Sequence, residues 1–198
     1  MSTPVSSVRM MLIMTLVAAI SGAMIVSAYL YTAPMIQKNK DQVVREAAMA
    51  VCPGAVRMET VVEPSTGTRF FVGYDKQNVA TAIALEAKGQ GFADQIKVLY
   101  AYLPPAHQII GFKVVESKET PGIGDKINSD TSFLANFAHL DVTQPIVAVK
   151  HGNKTHPWEI DGITGATISS KAVAKLMQKS SSERLKAIDA YWEAQHGN

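Results

Sequence analysis

The stretch from Asp161 to Val173 contains the residues of this chain that are best suited to hold a charged ligand. Two glycines, Gly162 and Gly165, permit turns and close approaches that a residue with a Cβ resists. From Ile168 onward the apolar residues recur at helical spacing, so the stretch runs into the N-terminus of a helix. Unpaired N–H groups at such a terminus attract phosphate, and the stretch therefore indicates a site for a phosphate-bearing ligand. Four hydroxyl side chains accompany the glycines: Thr164, Thr167, Ser169 and Ser170.

The same stretch has a simpler interpretation, in which a hydroxyl only caps the helix. Ser and Thr are common N-caps, and short glycine-containing motifs often match by chance. Two familiar phosphate loops are excluded, because no Gly-Lys-Ser/Thr follows a Walker-type spacer and no dinucleotide-binding glycine fingerprint is present. From these residues alone, a phosphate site and a plain helix cap both stay open.

A second stretch, Glu119–Ile127, has the sequence Glu-Thr-Pro-Gly-Ile-Gly-Asp-Lys-Ile. By itself it is typical of a Pro-Gly turn with solvated charges. Taken together, however, the two stretches resemble one family. Asp161–Thr167 is similar to the flavinylation motif of proteins that carry covalent FMN on a threonine, and Glu119–Gly124 is similar to the Glu-Thr-Pro-Gly-Leu-Gly segment upstream of it.

The family comprises the FMN-binding subunits of membrane redox pumps: the G subunit of the Rnf complex and the C subunit of the sodium-translocating NADH:quinone reductase. In that family a flavin transferase joins the FMN phosphate to the last threonine of the motif, which is Thr167 here. The resemblance implies that the neighbouring residues shape the turn or donate hydrogen bonds to the phosphate and ribityl chain: Thr164, Gly165, Ala166, Ser169 and Ser170.

The upstream motif would supply a narrow wall for the flavin ring and polar contacts to its edge. The residues implied there are Glu119, Thr120, Pro121, Gly122 and Ile123. Ile123 stands where the family has Leu, a change that keeps an apolar contact. Because the phosphoester lies far from the ring, redox chemistry would belong to the flavin, and the protein would supply position and electrostatics.

An apolar segment near the N-terminus must anchor these motifs. Residues 10–37 contain no charged residue, a run longer than the roughly 20 residues that a helix needs to cross a bilayer. A cleaved signal peptide is the alternative, but its apolar region usually spans only about 7–15 residues. Tyr29 and Tyr31 suit an interfacial aromatic belt. We therefore predict a transmembrane helix over residues 10–35, after a tail of residues 1–9.

The charges that flank the apolar segment and the family resemblance predict opposite sides of the membrane for the C-terminal domain. The Lys and Arg residues that flank the apolar segment favour a cytoplasmic C-terminal domain, although large domains cross membranes largely regardless of such charges. The resemblance implies a single-pass protein of the cell inner membrane with its domain on the periplasmic side. It also implies other membrane subunits of an Rnf-type complex as partners. We adopt the orientation that the resemblance implies.

The remaining composition excludes several function classes. Without the first 37 residues the chain carries 18 basic and 17 acidic residues, so no basic patch suggests nucleic-acid binding. Cys52 is the only cysteine, which forbids an intrachain disulfide and favours a small buried role. His151 and His156 lie in a loop without a carboxylate cluster, and we predict no metal site.

Behind the apolar segment we predict a stalk helix over residues 36–52, either continuous with the membrane helix or separated from it at Pro34. A single α+β domain over residues 53–198 should follow, because strands and helices mix without a βαβ alternation. The predicted strands are Arg57–Val62, Arg69–Tyr74, Val79–Ala87, Gln95–Leu103, His107–Glu116 and Ile146–Val149. The predicted turns are Pro64–Gly67, Lys88–Gly91 (near the flavin in the related proteins) and Pro104–Ala106. The predicted helices are Ser129–Leu140 and one from Ser169 nearly to the end, with an interruption near Ser180–Ser182.

Two function classes stay open. The resemblance implies an electron-carrier subunit of a membrane-bound ion-translocating ferredoxin:NAD oxidoreductase complex, one that turns over no substrate alone. Within that class, a component like the C subunit of the sodium-translocating reductase, or another anchored FMN-binding protein, is the alternative; the short chain favours Rnf. The second class is a membrane-anchored binding or structural protein whose glycine–threonine loop is only a helix cap.

Overall fold

A computed structural model of the chain describes residues 7–62, 67 and 69–196. The chain forms two compact units, one ending at Val43 and the other beginning at Val44. Helix α1 spans Ser7–Val51 and is continuous through Pro34, so the alternative of a break there is wrong. By length and composition the apolar part of α1 is able to cross a membrane, and its side chains are not buried against the rest of the protein.

The second unit is built on an antiparallel sheet whose six strands are hydrogen-bonded in the order of the sequence. Its strands are β1 (Arg57–Val62), β2 (Arg69–Tyr74), β3 (Ala80–Gln90), β4 (Gln95–Leu103), β5 (Gln108–Glu116) and β6 (Leu140–Asp141). Most of these agree with the predicted bounds, but β3 continues through Gly89 and Gln90, where a turn was expected. Of the predicted turn at Pro64-Ser65-Thr66-Gly67, the first three residues lie outside the described ones, and Gly67 has a φ of 66°.

Because successive side chains of a strand point to opposite faces of the sheet, the core has one part on each face. One face carries Phe71 and the small residues Ala82, Ala84 and Ala101, and it packs against the end of α1. The buried residues that α1 contributes are Val44, Ala47, Ala48 and Val51. Gly111 on β5 lies against the carbonyl of Val51, where no Cβ fits. Small side chains on both elements thus let the helix end approach the sheet closely.

The opposite face carries the larger side chains and is covered by helix α3, Thr167–His196. Tyr100 of β4 hydrogen-bonds to Ser180 at 2.8 Å, and Tyr102 donates to Asp189 at 2.7 Å. The interruption predicted near Ser180–Ser182 is wrong, because α3 continues through it. The buried hydrogen bond between Ser180 and Tyr100 outweighs the modest helix propensity of serine.

The region between β5 and α3 differs most from the prediction. The helix expected over Ser129–Leu140 is shortened to helix α2 at Thr131–Ala135, followed by a 3₁₀ helix at Asn136–Ala138. A further 3₁₀ helix, at Gly124–Asn128, lies before the predicted bounds. The reason lies in Asn136, whose side chain bonds to the carbonyl of Phe133 at 2.9 Å and to the amide of Asp161 at 3.0 Å. Side chain–backbone bonds of this kind compete with a continuing helix.

Two short strands complete the domain and form a separate parallel pair, β7 (Val147–Val149) and β8 (Glu159–Asp161). Only the first of them was predicted. The residues of β7 are apolar and follow Ile146, whereas β8 has one apolar residue, Ile160, between two acidic ones. The fold class α+β is confirmed, with one long N-terminal apolar helix followed by a mixed domain.

Candidate functional site

The loop that precedes α3 is held in place by close backbone contacts. The amide of Gly162 donates to the carbonyl of Val149 at 3.1 Å, and a Cβ on Gly162 would lie 2.7 Å from that oxygen. Gly165 has a φ of 84°, in the left-handed region that favours glycine. Both glycines of the motif are therefore required by the path of the backbone.

The buried side chain of Ser170 holds this loop in place with two hydrogen bonds. Its hydroxyl accepts a hydrogen bond from the amide of Ile163 at 3.0 Å and donates to the carbonyl of Ala166 at 3.0 Å. The side chain is 1% exposed, so the hydroxyl serves the loop rather than the surface. The sequence suggested Ser170 as a ligand contact, but the structure places it behind the loop.

Thr167 is the first residue of α3 and is exposed. The first hydrogen bond of the helix joins the amide of Ser170 to the carbonyl of Ala166 at 2.9 Å. The amides of the three residues before Ser170 therefore have no acceptor within the helix. Among the described residues the hydroxyl of Thr167 has no hydrogen-bond partner, and it does not act as a side-chain cap. A free hydroxyl thus lies at the positive end of a long helix.

The upstream motif forms a compact turn around one carbonyl. The carbonyl of Thr120 accepts from the amides of Ile123 at 3.2 Å and Gly124 at 3.0 Å. Gly122 occupies the left-handed region with a φ of 75°. The turn leaves the side chain of Ile123 54% exposed.

The two motifs meet in one cleft of about 400 Å³, a volume within the range of small-molecule sites. The turn between β3 and β4 closes the cleft with Phe92. Three exposed apolar side chains belong to its lining, together with the hydroxyl-bearing start of α3. The lining residues are Phe92, Thr120, Ile123, Gly124, Gly165, Ala166, Thr167, Ile168 and Ser169.

The predicted site residues fall into two groups. Those that line the cleft are Thr120, Ile123, Gly165, Ala166, Thr167 and Ser169. Those that do not line it are Thr164, Ser170, Glu119, Pro121 and Gly122. Thr164, Pro121 and Gly122 are exposed beside it, whereas Glu119 and Ser170 are buried behind it.

Glu119 differs most from its expected place. Predicted as a polar contact to a ligand, it is 5% exposed, and both carboxylate oxygens are bonded within the protein. One oxygen accepts from the amide of Ala93 at 3.0 Å, and the other accepts from the hydroxyl of Ser169. The carboxylate therefore joins segments of the cleft wall.

Phe92 and Ile168 were missed as site residues. Ile168 looks like an ordinary apolar residue at a helix start, and Phe92 follows Gly91 in a stretch that the sequence indicates only as a bend. An aromatic beside a glycine bend is a weak signal, because such residues more often fill a core. Tyr100, by contrast, is fully buried in the core.

The other polar clusters of the domain are structural. His151 lies 3.2 Å from the carboxylate of Asp161, and His156 stacks on Trp158 with ring centroids 4.5 Å apart. Within the described part of the chain, no three His, Cys, Asp or Glu side chains are grouped to hold a metal. The cleft is thus the site where the chemistry-bearing residues converge.

Comparison with known proteins agrees with this location. Residues 91–182 match the model of the FMN-binding domain, a span that contains Phe92 and both motifs. The chain is 29% identical to the G subunit of the proton-translocating ferredoxin:NAD(+) oxidoreductase complex of Clostridium ljungdahlii, over 82% of this chain and 83% of that protein. It is 25% identical to the G subunit of the ion-translocating oxidoreductase complex of Methanosarcina acetivorans, over 96% of each.

A solved structure has a similar fold. The C subunit of the Na(+)-translocating NADH-quinone reductase from Parabacteroides distasonis superposes with a TM-score of 0.62 at 18% identity, over 76% of this chain and 94% of that one. Residues 91–182 therefore match a domain of the FMN-binding type, and the chain is similar over most of its length to the G subunits of ion-translocating oxidoreductase complexes.

Proposed function

We propose that this chain is the FMN-carrying electron-transfer subunit of a membrane-bound, ion-translocating ferredoxin:NAD oxidoreductase complex of the Rnf type. We further propose that the FMN phosphate is esterified to Thr167. The observation that carries the proposal is the place of Thr167: its unbonded, exposed hydroxyl lines the cleft in which the two motifs meet. Relatives named as G subunits over nearly their full length favour this assignment over a C subunit.

The residues present fit both ends of FMN. The start of the 30-residue helix α3 offers amides and a positive dipole end to the phosphate. The ring of FMN has large apolar faces, and Phe92, Ile123 and Ile168 offer apolar surface in the same cleft. Thr120 adds a hydroxyl on the opposite motif.

In this proposal one residue retains the cofactor and the other lining residues set the surroundings of its ring. Bound FMN supplies the ring that accepts and releases electrons, which no side chain here can do. Thr167 retains the cofactor by its phosphate, so a carrier outside the cytoplasm needs no pool of free FMN. The apolar lining excludes water from the ring, and the tight turns at Gly122 and Gly165 set the positions of the two motifs.

The rest of the chain would serve attachment and assembly. Residues 10–35 of α1 would form the single membrane span, residues 36–52 a stalk, and residues 53–198 the FMN domain on the periplasmic side. Other membrane subunits of the complex would deliver and remove electrons, and a flavin transferase would load the cofactor. The chain alone would turn over no substrate.

The test is intact-mass analysis of the full chain produced together with a flavin transferase. The wild type should gain the mass of FMN less one water, on the peptide that contains Thr167. Thr167→Ala should carry no flavin, whereas Thr143→Ala, a change at an exposed threonine outside both motifs and the cleft lining, should stay loaded. An unmodified Thr167 in the active native complex contradicts the proposal.

A further inference from the structure

Phe92 is an unusual side chain in this domain. It is 61% exposed, and among the described residues beyond Val43 no other Phe, Tyr or Trp is exposed. It lies in the turn between β3 and β4 and lines the cleft with Ile123 and Ile168. Burial of an aromatic ring is favourable, so a lone exposed ring at a cleft indicates a surface that is covered when the cleft is filled.

The turn that carries this ring is held from several directions. The amide of Gly91 donates to the carbonyl of Asp94 at 2.8 Å and closes the turn. The amide of Ala93 donates to Glu119 at 3.0 Å. The next residue, Asp94, forms an ion pair with Lys118 at 3.1 Å. Lys118 and Glu119 thus hold Asp94 and Ala93, and together with the bond from Gly91 they fix the backbone on both sides of Phe92.

Glu119 is the centre of this arrangement. Its second carboxylate oxygen accepts from Ser169 of α3, and the backbone packs tightly around it. A Cβ on Gly124 would lie 2.7 Å from that oxygen, and a Cβ on Gly91 would overlap the other one. A buried carboxylate is costly unless donors satisfy it. Here the donors come from two different walls of the cleft, and Glu119 itself belongs to the third.

On the basis of the proposed function, we propose that Phe92 packs against the ring of the bound FMN and that Glu119 is the positioning residue that holds Phe92 there. Aromatic rings attract one another in offset or edge arrangements. Because Glu119 and Lys118 already hold the backbone of the turn, that backbone need not be reordered when the ring is covered. Phe92 touches the cofactor, and Glu119 acts on it indirectly by holding the turn that carries Phe92.

Collisional quenching of flavin fluorescence by iodide tests the contact, in full-length chain loaded by a flavin transferase. Phe92→Ala should raise the bimolecular quenching rate constant, which is the Stern–Volmer constant divided by the unquenched lifetime, about fivefold. Loss of an aromatic pair of about 1 kcal/mol raises the uncovered fraction of the flavin ring by that factor. Phe92→Leu, which keeps a large apolar side chain and does not itself quench flavin fluorescence, should stay closer to the wild type than Phe92→Ala. Val79→Ala, a matched change at a 58% exposed side chain outside the cleft lining, should have no effect. Unchanged quenching in loaded Phe92→Ala overturns the inference.

A second set of variants tests the positioning role. Glu119→Gln can accept from Ala93 and donate to Ser169, and it should quench like the wild type. Glu119→Ala should raise quenching as far as Phe92→Ala does and should speed hydrogen exchange at the amide of Ala93. The double variant should equal Phe92→Ala alone. Glu116→Ala, an exposed glutamate on β5, is the matched control. Wild-type quenching in loaded Glu119→Ala overturns the role of Glu119.

These outcomes separate the two proposals. A wild-type chain that carries no flavin overturns the proposed function and this inference with it. A loaded wild type whose Phe92→Ala variant quenches normally overturns only the inference. If Glu119→Ala fails to fold or load, the Phe92 variants still decide the ring contact, and Glu119→Gln, by loading and quenching normally or not, still decides whether the hydrogen bonds suffice.

Discussion

Ser169, in the first turn of α3, donates its hydroxyl hydrogen to the buried carboxylate of Glu119, fifty residues earlier in the chain. The bond joins the segment that carries Ile123 to the helix start that carries Thr167. Two walls of the cleft, the Ile123 segment and the start of α3, therefore depend on one pair of side chains. Removal of either partner should loosen the site without removing any residue of its apolar lining.

Ser169→Ala should lower the free energy of unfolding by about 1–3 kcal/mol, because a buried carboxylate oxygen loses its donor. Urea denaturation of the full chain in mild detergent, followed by tryptophan fluorescence, measures the change. Ser182→Ala is the matched control, since Ser182 is exposed on the same helix and bonds only to the carbonyl of Lys179. Equal effects of the two substitutions contradict a structural role for the Ser169–Glu119 bond.

Asp130 makes the domain sensitive to acid. The hydroxyl of Ser132 and then the amide of Phe133 lower the pKa of this N-cap carboxyl below its ordinary value of 3.8. Since the folded state favours the ionised form, the cap stabilises the fold above the unfolded-state pKa and is lost as the pH falls through the folded-state pKa. Asp130→Asn, which keeps a good cap, should therefore lose less stability between pH 7 and pH 3 in denaturation experiments. Identical pH profiles count against this account.

Cys52 should be unreactive in the folded chain. Burial raises the pKa of its thiol to about 12, and the side chain is 2% exposed. The thiolate is the nucleophile, so iodoacetamide at about pH 8.5 should leave the native protein unlabelled and label it fully in denaturant. Because Cys52 is the only cysteine, mass spectrometry measures the reaction at one site. Labelling of the native chain at the rate of a free thiol disagrees with the packed position.

The orientation of the domain is open to a direct measurement. If residues 53–198 lie on the periplasmic side, protease added to intact spheroplasts should digest the domain and leave the membrane segment. Large domains cross membranes largely regardless of flanking charges, which is why we set the charge count aside. Protection in spheroplasts, with digestion only after lysis, supports the cytoplasmic side that Lys38, Lys40 and Arg45 favour.

Local pattern predicted most of the elements of this domain. The bounds of β1, β2 and β4 follow from apolar and β-branched runs between turn residues, and the structure confirms them. The prediction failed where a distant partner decides the backbone. Asn136 ends a helical stretch because it bonds to Asp161, twenty-five residues away, and Ser180 stays helical because it packs on Tyr100. Neither contact is visible in a local window.

The candidate site likewise combines features that are set locally with features that distant contacts decide. Residue types and spacing by themselves determined the apolar N-terminal helix, the two turns that need Gly122 and Gly165, and the exposed threonine at a helix start, because backbone sterics and helix ends are local. Only the tertiary structure decided which side chains face the cleft. It turned Glu119 and Ser170 inward and brought Phe92 into the lining, because the faces of these residues are set by long-range hydrogen bonds and by the packing of α3 on the sheet.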